Sequence, residues 1–164
     1  MHQLIRKQLL PLHITEAWEF FSSPLNLQRI TPPDMRFKIL TSFGPNDRIY
    51  PGLIIDYTVS PLWHIPLHWQ TLISDVQEPI LFVDFQQRGP FRYWRHEHHF
   101  EEHTGKTLMT DIVHWSLYGG WFGLWINKYI VEPRIKQIFN YRSERLKQLF
   151  GPADQTDLPQ TGPM

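Results

Sequence analysis

Ten consecutive residues in the second half of the chain gather the side chains best able to move protons or hold ions: Arg92-Tyr93-Trp94-Arg95-His96-Glu97-His98-His99-Phe100-Glu101. In an extended run alternate side chains face opposite sides. One face then carries Trp94, His96, His98 and Phe100, and the other Arg95, Glu97, His99 and Glu101. Four charged or polar groups belong in water, so the first set is expected to point inward. The next run repeats the logic: Met109, Asp111, Val113, Trp115 and Leu117 share a face whose apolar members mark it as inward. His103-Thr104-Gly105 joins the two runs and permits a two-residue loop in either of two registers. With Thr104 and Gly105 as the loop, His98 lies opposite Asp111; with His103 and Thr104, His96 does. Either register sets one inward imidazole roughly 5 Å from the inward carboxylate.

An ionised Asp111 beside an imidazole favours its protonated form, fixes its tautomer and makes a general acid or base of tunable pKa. Two His at i and i+2 with a carboxylate are also a set able to bind a divalent metal. The plainest reading is a structural network in which the three groups satisfy one another, or an anchor for the polar end of a ligand. That reading ranks first, acid–base chemistry second and a metal last, because His-x-His arises readily by chance among nine His. The expectation is therefore no resident metal and no cofactor, with His96, His98 and Asp111 as the catalytic candidates if there is chemistry.

Further candidates for a ligand site are weaker. Asp84, Gln86 and Arg88 share one face of their run, while Leu81, Val83 and Phe85 share the other. Simple polarity sends the apolar set inward, and one extra residue near Gly89-Pro90 reverses it, so the facing of Asp84 stays open. Tyr57, Trp69 and Thr71 fall on inward faces, where such residues are more often core than ligand contacts. Gly119-Gly120-Trp121-Phe122-Gly123-Leu124-Trp125 is glycine-rich and aromatic, suited to gating a cavity, docking a partner or completing the core. The ligand-binding candidates are thus Tyr57, Trp69, Thr71, Asp84, Trp94, His96, His98, Met109, Asp111, Trp115 and Trp121. No nucleophile elbow, phosphate-cradling loop or dinucleotide fingerprint is present.

These residues need a scaffold. A chain of 164 residues fits one domain with a substantial core, and its 15% aromatic content favours strands. Sixteen basic residues balance sixteen acidic ones, which argues against nucleic acid as a partner. The absence of Cys excludes disulfides, thiolate zinc and a Cys nucleophile, and it suits a cytoplasmic location. Met1 to Leu12 has no apolar signal core, and no segment approaches the roughly 20 apolar residues of a membrane span.

The element order reads as a strand at Gln3 to Leu10, then a short helix capped by Thr15, then a second helical stretch from Leu25 to Ile30. Strand candidates follow at Arg36 to Ser42, Leu53 to Ser60, Leu67 to Val76, Leu81 to Gln87, Arg92 to Glu101 and Lys106 to Leu117, joined as hairpins. One long helix, about Leu124 to Phe150, carries an apolar stripe of Val131, Ile135, Ile138, Phe139, Leu146 and Leu149. Pro133 is expected to kink it or mark a restart. A sheet of about seven strands with one bare face is unstable, so the fold class is α+β, with the sheet curled around that helix over a cavity. Residues 1 to 151 form the domain, and 152 to 164, rich in Pro, Gln, Thr and Asp, a disordered tail.

Several stretches carry a family resemblance: Phe20-Phe21-Ser22-Ser23-Pro24-Leu25-Asn26-Leu27, Ile30-Thr31-Pro32-Pro33, Ile55-Asp56-Tyr57, Pro66-Leu67-His68-Trp69, Phe82-Val83-Asp84 and Gly89-Pro90-Phe91-Arg92-Tyr93-Trp94. Spanning roughly residues 3 to 150, they resemble the START-like (SRPBCC) superfamily, in its polyketide cyclase/dehydrase and lipid-transport branch, and within it a bacterial subgroup of ligand-binding members. The resemblance implies a helix-grip fold and a hydrophobic small-molecule ligand such as a lipid, polyketide or isoprenoid. A cyclase- or dehydratase-type enzyme using a His–Asp pair is the alternative. A third reading is an interaction module for an epimerase-like oxidoreductase; a homodimer is also left open.

Overall fold

The computed structural model describes residues 1–154; the expected tail lies, from 155 onward, outside the described residues. The order of elements is β1 (His2–Leu10), α1 (Ile14–Phe21), two 3₁₀ turns (Pro24–Ile30 and Pro33–Met35), β2 (Lys38–Ile39), β3 (Ile54–Val59), β4 (Leu67–Gln77), β5 (Leu81–Arg88), β6 (Tyr93–His103), β7 (Lys106–Ser116), α2 (Gly120–Ile126) and α3 (Glu132–Phe150). One antiparallel sheet holds all seven strands in the order β1-β7-β6-β5-β4-β3-β2, so every neighbour pair but β1–β7 is consecutive in sequence. This is the expected α+β, helix-grip architecture: a curved sheet with a long helix laid across its inner face.

Several local expectations shift. Thr15 does not cap α1; the helix starts at Ile14, and Glu16 reaches back to accept the backbone N–H of His13 at 3.0 Å. The strand expected over Arg36 to Ser42 shrinks to Lys38 and Ile39, because Arg36 adopts a left-handed backbone at φ 46° just before it. Helix starts earlier than the expected Leu124: α2 begins at Gly120, inside the glycine-aromatic segment. At Gly123 a Cβ would come within 2.3 Å of the Tyr118 carbonyl oxygen, so only glycine lets this turn pack so closely.

Pro133 marks a restart of the C-terminal helix, lying in the first turn of α3. Residues 127–131 widen into a π turn, in which the Glu132 N–H bonds to the Asn127 carbonyl instead of the carbonyl four residues back. The wider turn accommodates a proline that clashes with, and cannot donate to, the preceding turn. Within it the Asn127 side chain is buried and accepts the indole N–H of Trp115 at 2.6 Å. That bond ties β7 to the helix at the point where the helix is least regular.

The apolar stripe of α3 enters the core largely as its spacing predicts, with Ile135, Phe139 and Leu146 buried. Near β1 the helix is held by polar contacts instead: Arg6 donates to Asn140 Oδ1 at 3.2 Å and Gln8 to the Ser143 carbonyl at 3.1 Å. Among the described residues no helix is long and apolar enough to cross a membrane.

Trp115 is 1% exposed. Trp115→Phe keeps most of its apolar volume but leaves the buried Asn127 oxygen without its donor, a change expected to cost about 1–3 kcal/mol in urea denaturation. A loss below a few tenths of a kcal/mol would mean that this bond does not fasten the helix to the sheet.

Candidate functional site

Between sheet and helix lies a cavity of about 390 Å³. Its walls are chiefly apolar: Tyr57, Trp69, Phe82 and Trp94 from the strands, and Ile135, Ile138 and Phe139 from α3. Trp69 packs edge-on against Trp94 at 5.3 Å and nearly parallel to Tyr57 at 6.0 Å. Thr71 provides a small polar spot, accepting from the Trp69 indole N–H at 3.1 Å and sharing a hydrogen bond with the Tyr57 hydroxyl at 3.0 Å.

At one end of this wall the polar groups converge. The β6–β7 hairpin takes the register with Thr104 and Gly105 as the loop, so His98 lies across from Asp111. On the other side β5 sets Asp84 across from His96. The contacts, however, run diagonally as well. His96 Nε2 is 2.9 Å from Asp111 Oδ1, and His98 Nδ1 approaches the same oxygen to 2.9 Å, though poorly aligned for a hydrogen bond. Facing the cavity, His98 Nε2 is 3.1 Å and His96 Nδ1 3.5 Å from Asp84 Oδ2. Each imidazole therefore spans two carboxylates, and the ring centroids are 3.8 Å apart.

The polarity rule fails for β5, where Phe82, Asp84 and Gln86 point inward rather than Leu81, Val83 and Phe85. Extra residues at Ser74 on β4 and Gln87 on β5 shift the pairing between these strands. The outer face is also apolar here: Val83 is buried on it, and Phe85 packs against Tyr93 at 5.6 Å. Inside, Phe82 stacks on His98 at 4.1 Å, which explains why an aromatic neighbour accompanies an inward carboxylate.

The other expected residues separate into two groups. Tyr57, Trp69, Thr71, Asp84, Trp94, His96 and His98 line the cavity. Met109, Asp111, Trp115 and Trp121 do not. Met109 and Trp115 are enclosed in the core, and Asp111 sits behind the His pair on a second cavity of about 120 Å³ between β1 and α3. Trp121 is 82% exposed on the outside of α2.

Arg142 is the functional-site neighbour that the sequence reading passed over. It is buried, its guanidinium lies 5.0 Å from the Phe139 ring centroid, and it lines the cavity while its Nε has no hydrogen-bond partner. Its position was legible: 135, 139, 142 and 146 follow one helical stripe, and a cation on a core stripe is the signal.

Burial opposes charge on all these groups, and the contacts outweigh it at some and not at others. For Asp111, burial raises the pKa, but hydrogen bonds and charge from His96 and His98 outweigh it and hold the carboxyl well below its ordinary range. Asp84 is likewise held down against burial, by the charge of His96, the hydrogen bond and charge of His98, and Arg142. Burial and the charge of His98 push His96 below an ordinary imidazole, whereas contacts to Asp111 and Asp84 overcome burial and lift His98 above one. Burial and the charge of Asp84 push the Tyr57 phenol up, so it remains a donor. The cluster thus favours two ionised carboxylates and places a proton on His98 in preference to His96. It can exchange a proton with a bound oxygen or grip one by hydrogen bonds.

No family model matches the sequence, and no curated protein matches it. Solved structures do match the fold. A START superfamily protein from Mycobacterium smegmatis is 11% identical with a TM-score of 0.64, the match covering 91% of this chain and 99% of that one. Major latex-like protein 151 from Panax ginseng is 11% identical at a TM-score of 0.66, covering 92% and 98%. A nucleoside-diphosphate sugar epimerase from Corynebacterium glutamicum is 20% identical at a TM-score of 0.60; the match takes in 88% of this chain but 28% of that one. The chain has the START-like helix-grip fold.

In metal-chelated protein, NMR titration should find His98 protonating above pH 6.5, the ordinary imidazole value, and His96 below it. The linked stability follows: the contribution of His98 is complete below about pH 6.5 and is lost as pH rises through its folded pKa, whereas that of Asp111 is present above about pH 3.9 and is lost as pH falls. Asp111→Asn should lower the pKa of His98. Equal, unshifted titrations of the two rings would contradict the geometry.

Proposed function

We propose that this protein binds a hydrophobic small molecule in the cavity, with the molecule's polar end held by Asp84, His96 and His98. The observation that carries this reading is the asymmetry of the wall. It is apolar and aromatic almost throughout, and a few convergent polar groups lie at one end, the usual make-up of a small-molecule site. A cavity of about 390 Å³ lies within the range of such sites, roughly 300–1,000 Å³. Likeness in fold to a START superfamily protein is consistent with it. A lipid, a polyketide or an isoprenoid fits this chemistry.

A second reading, a cyclase- or dehydratase-type enzyme, is favoured by one feature. Each imidazole spans two carboxylates, so a proton can be supplied to or taken from a bound carbonyl without a cofactor. The two readings part at His96→Ala: a binder loses affinity, whereas an enzyme keeps its ligand and loses turnover. Docking to an oxidoreductase is a separate proposal, prompted by the epimerase of which this fold matches only a part.

Anilinonaphthalene sulfonate, apolar with one anionic end, is a suitable probe. It should bind at one site, quench Trp69 and Trp94, and lose at least tenfold in affinity when Ile138→Trp fills the cavity. His98→Gln should weaken it about 10- to 100-fold, the loss of a charge-assisted hydrogen bond, and Trp121→Ser should leave it unchanged. Affinity unaffected by Ile138→Trp would place the probe elsewhere and remove the support for a cavity ligand.

A further inference from the structure

We propose that Asp84, His96 and His98 form a binding site for one divalent transition-metal ion at the polar end of the cavity. The three offer one donor atom each, all within 4.8 Å of one another: Asp84 Oδ2, His96 Nδ1 and His98 Nε2. Ligands about 2.1 Å from an ion and roughly 90–110° apart are separated by about 3.0–3.4 Å. The carboxylate oxygen stands 3.1 Å from one ring nitrogen and 3.5 Å from the other. Two of the three donor separations thus already suit a single ion.

What lies behind the rings is the stronger argument. A ligating imidazole is usually oriented by a carboxylate or carbonyl that accepts from its other nitrogen, which also fixes the tautomer. Here both remaining nitrogens, His96 Nε2 and His98 Nδ1, lie 2.9 Å from the single oxygen Asp111 Oδ1, which is hydrogen-bonded to His96 and less well aligned with His98. Asp111 is 6% exposed and does not line the main cavity, so it serves the rings and not a ligand. Two imidazoles with their free nitrogens toward the cavity, one carboxylate beside them and a second carboxylate behind make a set of two His and one Asp with an orienting residue. The ranking drawn from sequence set a metal last, with Asp111 as the inward carboxylate and the facing of Asp84 open.

Three protein ligands leave positions open toward an apolar space, and this donor set with open positions suits Zn²⁺, Fe²⁺ or Co²⁺. With both imidazoles neutral, a divalent ion balances Asp84 and Asp111, and Arg142 leaves one positive charge over. The open position then suits an anionic oxygen such as a carboxylate or enolate at the end of an apolar molecule. This last step rests on the cavity-ligand reading; the ion site does not.

Co²⁺ alone tests the site, because it reports both stoichiometry and coordination. Added to metal-stripped protein, it should bind one per chain, give visible bands of nitrogen–oxygen coordination, and broaden the NMR signals of His96 and His98 before those of the surface His. His98→Gln and Asp84→Asn, checked for folding by circular dichroism, should abolish the bands. Asp111→Asn should weaken binding about 10- to 100-fold without abolishing it. Failure to bind Co²⁺ stoichiometrically, or bands that survive in both ligand variants, would overturn the proposal. With the fluorescent probe titrated in the presence of a chelator, loss of the ion site and loss of the cavity reading register separately.

Discussion

Two carboxylates and two imidazoles are enclosed at the end of a mostly apolar wall, and such a group is stable only if its members satisfy one another. An isolated charge there would cost several kcal/mol, enough to consume much of the stability of a domain this size. Mutual contact removes that cost only at separations near 3 Å, which the strands must supply. Because side chains alternate along a strand, a slip of one residue between β5 and β6 or between β6 and β7 would turn one carboxylate outward and strand an imidazole. The register of the three central strands is thus coupled to the chemistry of the cavity: it is fixed by the hairpin loop at Thr104 and Gly105 on one side and accommodated by the bulges at Ser74 and Gln87 on the other.

The helix completes the arrangement. It covers the cavity with Ile135, Ile138 and Phe139 and brings the Arg142 cation beside Asp84. Its placement depends on a junction that is itself irregular, the π turn ahead of Pro133, pinned to β7 through Trp115 and Asn127. On α2, which precedes this junction, Trp121, Phe122 and Trp125 remain on the outside. Aromatic residues of the strands, and Phe139 of α3, thus form part of the cavity wall, whereas those on α2 have no part in it.

Much of this was legible from residue order alone. Strand parity in Arg92 to Glu101 and in the following run placed His96, His98 and Asp111 inward, because one face of each run is cleanly polar or cleanly apolar. Parity does not distinguish a cavity wall from packed core, so Met109 and Trp115 were read as lining residues. Asp84 stayed ambiguous because both faces of β5 are partly apolar and its facing depends on pairing with neighbours. Arg142 was passed over among the charges of an amphipathic helix, although its spacing put it on the buried stripe. The diagonal contacts, through which each ring reaches both carboxylates, follow from sheet twist and side-chain rotamers that no periodicity encodes.

The binding function depends on whether the cavity holds a molecule. Native mass spectrometry of protein purified from its own source, followed by denaturing extraction, measures that directly. The expected result is a stoichiometric apolar molecule, carrying an oxygen function at one end, that stays with the folded chain and is released on unfolding. A folded chain at its bare mass, which also fails to retain apolar molecules of this kind when they are supplied, would contradict it.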